Sequence, residues 1–295
     1  MPEGDTIYRA ARTLNRALAG QTVTQFQTEL APLAQLDRAE PIAGRTVERV
    51  EAAGKHCLIT FSAVPPLGEP GGLVLRTHMR MNGSWHIYRP GERWQRPARA
   101  MRILIETGDW VAVAFNVYVA EFIRAEDRSR HRPLATLGPD LLGEFDADRA
   151  MARIREQGDR PVHEVLLDQR VMAGIGNVYK SELLFLSRLH PDTPADRVGE
   201  PAWRELMRLA QSLLKANVSD GTMQIVTYRG LRRTTGRMNP EDRVWVYSRG
   251  GQPCRKCGTP IASRKDGDAA RVTYWCPSCQ QPNTSHEGTK DTKNY

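Results

Sequence analysis

No stretch of eighteen apolar residues occurs in the 295-residue chain, so the sequence holds no helix able to span a bilayer. The N-terminus lacks a charged segment followed by an apolar one, the pattern of a secretory leader, and the expected location is cytoplasmic. Cysteine is scarce, with five residues in all, and disulfides are not expected in a reducing compartment. Internal repeats are missing. So are the P-loop and the dinucleotide fingerprint, since the run Gly174-Ile175-Gly176 follows no strand and carries no Lys-Ser/Thr. What remains is a chain long enough for two domains and a small appendage, whose thiols need a role other than crosslinking.

Positive charge is what the chain has in excess. Lys and Arg number 42 against 34 Asp and Glu, a formal charge of +8 with a pI near 9.4. Between Asp220 and Gln281 there are 11 basic residues against 5 acidic ones, so most of the excess lies towards the C-terminus. Such a concentration suits a polyanion, either nucleic acid or an anionic membrane surface. A solvated basic face looks the same until a binding motif joins it.

Hydrophobic periodicity divides the chain. Thr6 to Gly20 has helical spacing, with Asp5 or Thr6 as the expected cap and Gly20 as the stop. Short runs then follow at Thr22–Phe26, Val47–Val50, His56–Phe61, Leu73–Thr77, Ser84–Tyr88, Met101–Glu106 and Val111–Phe115, broken by Gly and Pro. That is a β-sandwich pattern. Beyond Gly138-Pro139-Asp140 helical spacing returns over Asp146–Gln157, Pro161–Leu167, Asn177–Leu186 and Pro201–Ala216. Asp220 to Glu241 reads as a long loop, and the polar stretch Gln280–Tyr295 as a disordered tail.

Several residues carry chemistry. Cys254-x2-Cys257 and Cys276-x2-Cys279 stand 18 residues apart, the spacing of two knuckles that fill a zinc tetrahedron with four thiolates. Four protein ligands leave no open position, so one structural Zn²⁺ is expected, while Cys57 reads as a buried apolar residue. Pro2 becomes the terminal residue once Met1 is trimmed. Its secondary amine can attack an aldehyde-like carbon to give an iminium ion, an electron sink for elimination, although Met-Pro is also a common inert start. Gly174-Ile175-Gly176-Asn177 opens a helix and can either present free N–H groups to a phosphate or make a tight interhelical turn. Lys55, at the entry to a strand, is a phosphate cation or a solvated turn residue. His78-Met79-Arg80-Met81-Asn82-Gly83 places apolar side chains among polar ones, as in a wedge entering a base stack or in an ordinary strand end. Arg271, next to a hairpin tip between the knuckles, can probe a nucleic-acid backbone or simply face solvent.

Taken together, Pro2-Glu3-Gly4, Gly54-Lys55, His78–Gly83, Leu137-Gly138-Pro139-Asp140, Gly174–Tyr179 and the Cys254–Cys279 ribbon with Arg271 resemble the formamidopyrimidine-DNA glycosylase/endonuclease VIII family over nearly the whole chain, to about Gln281. The resemblance implies an α+β fold. An N-terminal β-sandwich with its helix would occupy residues 1–130, and a helix–two-turn–helix DNA-binding domain 131–240. A zinc ribbon (241–281) and a disordered tail (282–295) would follow. It implies a bifunctional DNA glycosylase/AP lyase that acts as a monomer on damaged DNA and touches no membrane. In that reading Pro2 forms the Schiff base, Glu3 moves protons, and Lys55, Asn177 and Arg271 hold phosphates, with His78, Arg80, Met81 and Asn82 on the DNA. The catalytic set is then Pro2, Glu3, Lys55 and Arg271. The opening Pro-Glu-Gly, and the lack of an Asp-Pro-Arg-Arg-Phe-Gly loop near Phe115–Val119, resemble the endonuclease VIII branch and imply oxidised pyrimidines as substrates. Thr6 stands where the family usually has a second Glu, leaving that carboxylate's role to a neighbour such as Asp5. Two other readings remain: a non-catalytic damaged-DNA-binding protein of the same fold, and a zinc-ribbon RNA or transcription factor.

Overall fold

The computed structural model describes residues 2–63, 72–218, 232–237, 239–266 and 271–282. Most of the Asp220–Glu241 loop, the tip of the ribbon hairpin and the tail from residue 283 lie outside these.

The first helix, α1 (Gly4–Leu18), buries Ile7, Ala10, Ala11, Leu14 and Leu18 along one stripe. It starts two residues before the expected Thr6, because the N–H of Gly4 donates to the carbonyl of Gly174 and draws the chain into helix there. Neither Asp5 nor Thr6 caps it. Glu3 occupies the N-cap position, and its side chain is engaged elsewhere. After α1 come β1 (Val23–Thr28), α2 (Ala31–Ala39), β2 (Val47–Ala53), β3 (His56–Phe61), β4 (Leu73–His78), β5 (Ser84–Tyr88), β6 (Met101–Thr107), β7 (Val111–Phe115) and β8 (Val119–Arg124).

The strands form two antiparallel four-stranded sheets, β1-β6-β7-β5 and β2-β3-β4-β8. Their inner faces pack with α1 into one core around Leu14, Ile59, Phe61, Leu75 and Ile103, as expected of a sandwich. Cys57 is wholly buried there, and burial pushes its thiol up to about 12. Two elements had no clear sequence signal. In α2 only Leu33 is buried, so no apolar stripe marks the helix. β8 is an edge strand whose polar residues are absorbed by ion pairs: Arg124 meets Glu40, and Glu121 meets Arg76 at 2.5 Å and His131 at 3.0 Å.

The second half is helical: α3 (Arg132–Ala135), α4 (Ala147–Arg155), α5 (Val162–Val165), α6 (Asn177–Leu186) and α7 (Glu200–Val218). A separate core centred on Trp203, Tyr179, Leu183 and Leu214 holds them together. The antiparallel pair β9 (Ala262–Asp266) and β10 (Arg271–Trp275) forms the ribbon. Phe185 of α6 packs among Val246, Ile261 and Cys276, so α6 belongs to the helical core on one side and to the ribbon core on the other.

Candidate active site

Every residue of α6 from Asn177 to Phe185 is buried, including Asn177, Lys180, Ser181 and Glu182. Polar groups in such a helix must each find a partner, since an unpaired one costs several kcal/mol, roughly 2–7 by transfer measures. Those partners bring the site together.

At the N-terminus of α6 the partner is Glu3. Its wholly buried carboxylate accepts from the N–H groups of Gly176 (3.0 Å), Val178 (2.8 Å) and Tyr179 (3.3 Å). The free N–H groups and positive end of a helix favour an anion, and here that anion belongs to the protein itself. The expectation that this turn offers its N–H groups to a DNA phosphate is therefore corrected. The glycines serve the same contact. A Cβ on Gly176 would stand 2.3 Å from Glu3 Cδ, and one on Gly4 would stand 2.8 Å from Gly174 Cα. Gly174 has φ +114°, a conformation that side chains disfavour.

Asp5 is committed as well. Arg232 grips it through Nε and Nη2 at 2.8–3.0 Å, Tyr179 donates to it at 3.2 Å, and Thr6 hydrogen-bonds both Asp5 and Arg232. Burial, with Asp5 next, raises the Tyr179 phenol pKa and keeps it neutral. The idea that Asp5 stands in for the missing second carboxylate is thus corrected: it anchors the loop after α7 to α1.

Lys55 is placed by a third motif. Gly54, at φ +57°, donates to Asp140 Oδ2 at 2.6 Å, while Oδ1 accepts from Leu142 at 3.0 Å. Leu137-Gly138-Pro139-Asp140 therefore ties the β2–β3 turn to the helical half. Gly138 leaves no room for a side chain, since a Cβ would lie 2.4 Å from the carbonyl of Val171. Burial lowers the Lys55 pKa to about 8. The Glu3 carboxylate opposes the fall, and the guanidinium groups of Arg271 and Arg232 add to it.

Pro2, Lys55, His78, Arg80, Met81, Asn177 and Arg271 line a single cavity of about 710 Å³, together with His56, Arg76, Gln169, Tyr247 and Tyr274. Asn82 lies outside it, exposed in the β4–β5 turn. Met79 is core, whereas Met81 is 60% exposed. Arg80 has φ 47°, and its N–H donates to His78 Nδ1 at 3.1 Å, so the neutral His78 carries its proton on Nε2. Asn177 donates to the carbonyl of Val272 at 2.8 Å, and its Oδ1 is buried with no described partner.

Several residues here had escaped notice. Lys180 is wholly buried and donates to Thr273 at 2.5 Å, and Thr273 in turn donates to Asp266. Asn177 and Lys180, one turn apart on α6, thus hold the two residues that follow Arg271. Glu182 accepts from the N–H groups of Trp245, Val246 and Tyr247 at 2.8–2.9 Å and so positions Tyr247 at the cavity. The signal was there in retrospect: Lys and Glu inside an otherwise apolar helix need dedicated partners.

The four ribbon cysteines bring their Sγ atoms within 4.8 Å of one another and form no disulfide. A tetrahedron with Zn–S of about 2.3 Å has edges near 3.8 Å. The observed separations, 4.0 Å for Cys254–Cys279, 3.4 Å for Cys257–Cys276 and 3.5 Å for Cys279–Cys257, fit it.

Two tests follow from this geometry. Gly176→Ala should displace Glu3 and destabilise the fold by about 1–3 kcal/mol, the usual cost of overpacking, seen as a lower urea midpoint at unchanged slope. An unchanged midpoint would show that Glu3 is not pinned there. The second concerns His56 and His78. Burial, reinforced by Arg76 for His56 and by Lys55 for His78, lowers their pKa values from 6.5 to about 3 and about 4. Unfolded histidines take up protons below about 6.5 and folded ones do not, so this contribution is intact above pH 6.5 and is lost as pH falls towards 4. Urea titrations at pH 4.5 and 7 should show that His56→Gln loses less stability on acidification than the parent does.

The matches to known proteins agree with this architecture. The formamidopyrimidine-DNA glycosylase N-terminal domain matches residues 1–117, its H2TH domain matches 137–228, and the zinc finger found in FPG and IleRS matches 251–282. The chain is 40% identical over 284 residues to "Probable endonuclease 8 2" of Streptomyces coelicolor, covering 95% of this chain and 94% of that protein. It is 36% identical over 282 residues to "DNA-(apurinic or apyrimidinic site) lyase Nei2" of Mycolicibacterium smegmatis, covering 95% and 99%. The fold superposes on Lactococcus lactis Fpg in complex with DNA containing an abasic site, with a TM-score of 0.76 at 23% identity, over 95% of this chain and 100% of that one. With these matches along its length, the chain belongs to the formamidopyrimidine-DNA glycosylase/endonuclease VIII family.

Proposed function

We propose that the protein is a bifunctional DNA glycosylase and AP lyase of base excision repair, working through Pro2 on oxidised bases, pyrimidines first. One observation carries the reading: Pro2 shares a cavity with Lys55 and Arg271, two cations with no described hydrogen-bond or ion-pair partner. At about 710 Å³ the cavity falls within the 300–1,000 Å³ typical of sites that enclose one small group, and a base flipped out of a duplex is such a group.

In this mechanism the lone pair of the Pro2 nitrogen attacks C1′, and the glycosidic bond breaks as the base leaves with a proton. The sugar ring opens by cleavage of C1′–O4′, with a proton passing to O4′, to give the iminium ion. Loss of a C2′ proton expels the 3′ phosphate. A second elimination expels the 5′ phosphate and leaves a one-nucleotide gap. Glu3 has used three of its roughly four acceptor positions on α6, so one lone pair is left to exchange protons beside Pro2. Lys55 and Arg271 take the flanking phosphates, and Asn177 assists from the head of α6. His78 offers an Nε2–H donor, and Arg80, Met81 and Asn82 fill the gap left in the duplex. One Zn²⁺ on Cys254, Cys257, Cys276 and Cys279 supplies structure alone, holding the hairpin that carries Arg271. One chain contains the whole set, so a monomer suffices.

Borohydride should trap a covalent adduct between Pro2 and an oligonucleotide carrying 5-hydroxyuracil or an abasic site. Pro2→Gly, or an N-terminal extension, should abolish or sharply reduce the trap. Lys55→Met should lower strand cleavage by about 10²–10³-fold, the usual effect of removing an electrostatic stabiliser. Cleavage by the extended form at the parent's rate would refute the mechanism. Lesion-dependent binding without a trapped adduct would favour a non-catalytic damage-binding protein.

Metal analysis should find one zinc per chain. Cys276→Ser, or prolonged chelation, should release it and lower DNA affinity while the sandwich stays folded, as read by circular dichroism and salt-dependent binding. Full affinity after metal loss would separate the ribbon from the site.

A further inference from the structure

Tyr118 and Met81 are the exposed large hydrophobic residues of the described chain, at 61% and 60%. Met81 lines the cavity, and Tyr118 precedes Val119, which lines it too. Tyr118 is held by Arg102, whose guanidinium lies 4.7 Å from the ring centroid and donates to the phenol oxygen at 2.8 Å. Arg102 ends an unusual stretch. From Arg89 to Arg102 there are five arginines, four of them in the β5–β6 connection, and one carboxylate, the exposed Glu92, which accepts from the backbone N–H of Arg89 at 2.9 Å.

This connection is an anchored crossover on the outer face of β6-β7-β5. Trp94 meets Phe115 edge-on at 5.6 Å and stacks on Tyr88 at 6.5 Å. Gln95 donates to Tyr88 Oη at 3.0 Å, and Asn116 donates to the carbonyl of Ala100 at 2.8 Å. Phe115 and Asn116 lie three and two residues before Tyr118, so the anchors bring the crossover near the cavity rim. The side chains of Arg93, Arg96 and Arg99 are exposed, and among the described residues none has a hydrogen-bond, ion-pair or ring partner. Elsewhere on the surface Arg155, Arg204 and Arg208 face carboxylates.

We propose that Arg93, Arg96 and Arg99 form a second DNA-backbone contact outside the cavity, which takes phosphates of the duplex beyond the lesion, with Tyr118 and Arg102 linking it to the site. An anchored backbone carrying unpaired guanidinium groups suits phosphate, because Arg loses little entropy per bond and pairs bidentately. The cationic lining of the cavity makes DNA the fitting polyanion. The inference rests on the glycosylase reading.

The test compares the parent with the triple variant Arg93→Gln, Arg96→Gln, Arg99→Gln on two abasic-site duplexes. One is just long enough to fill the cavity and the other extends well beyond it. Each neutralised phosphate contributes about 0.9 to the slope of log K against log salt. For two or three contacts, the parent's affinity for the long duplex should fall about 10- to 40-fold more than the variant's between 50 and 200 mM salt. Binding to the short duplex and the fraction trapped at saturating DNA should not change, and Arg→Lys at the same positions should restore the slope. Equal slopes for parent and variant on the long duplex would overturn the proposal, as would equal losses on both duplexes. If the parent traps neither duplex, the glycosylase reading itself fails, and the contact with it.

Discussion

The buried carboxylate of Glu3 at the head of α6 is the contact on which the site depends. Taken alone, an ionised carboxylate with no exposed surface would be very unfavourable. Three backbone donors and the positive end of a helix compensate it, and charge-assisted bonds of this kind are roughly twice as strong as neutral ones. Pro2 and Gly4 flank Glu3 in the chain. Fixing one carboxylate therefore fixes the terminus against the helical half of the molecule, and a residue that would otherwise fray becomes part of a defined cavity.

A second consequence is that α6 acts as a distributor. Successive polar side chains on this one buried helix reach different parts of the chain. Asn177 and Lys180 reach β10, Tyr179 reaches Asp5 on α1, and Glu182 reaches the segment leading into the ribbon. Lys55 is one residue from the Asp140–Gly54 bond, Arg271 is one residue from Val272, and Pro2 is one residue from Glu3. Precision in such a site comes from buried, geometrically exacting contacts on rigid elements, while the exposed side chains stay free for the ligand. The electrostatics follow the same division. Acidic groups (Glu3, Asp5, Asp266) are already paired within the protein, and the cations around the cavity are in excess. That excess helps lower the pKa of Lys55 to about 8, and a phosphate entering the cavity would reverse the strain.

The sandwich and α6 were legible in the sequence because their periodicity comes from burial on one face or all round. Asn177–Leu186 was read to the residue, since a capping glycine and an apolar run leave little choice. β8 and α2 were not legible. Their partners are ion pairs and a single leucine, and neither imposes a period. The motifs around Pro2, Lys55 and Gly174 could be found as composition and spacing, but their mutual dependence could not. A glycine that admits a phosphate and one that admits a carboxylate from 173 residues away look alike in sequence, and only the geometry assigns Gly176 to Glu3.

Thr6 illustrates what that dependence allows. A second carboxylate at this position would sit beside Asp5, and like charges side by side in a buried place raise one another's pKa and cost stability. Here Thr6 gives Arg232 a hydroxyl, and the guanidinium pairs directly with Asp5. The ring of contacts Thr6–Arg232–Asp5–Tyr179 then closes the junction of α1, α6 and the loop after α7 with one acid and one base. Glu3, next to Pro2 in the chain, stands apart from this ring, with its carboxylate on the N–H groups at the head of α6. With Thr6 in place of a second Glu, Pro2 still keeps its position, because what holds it is the neighbouring Glu3 on the head of α6.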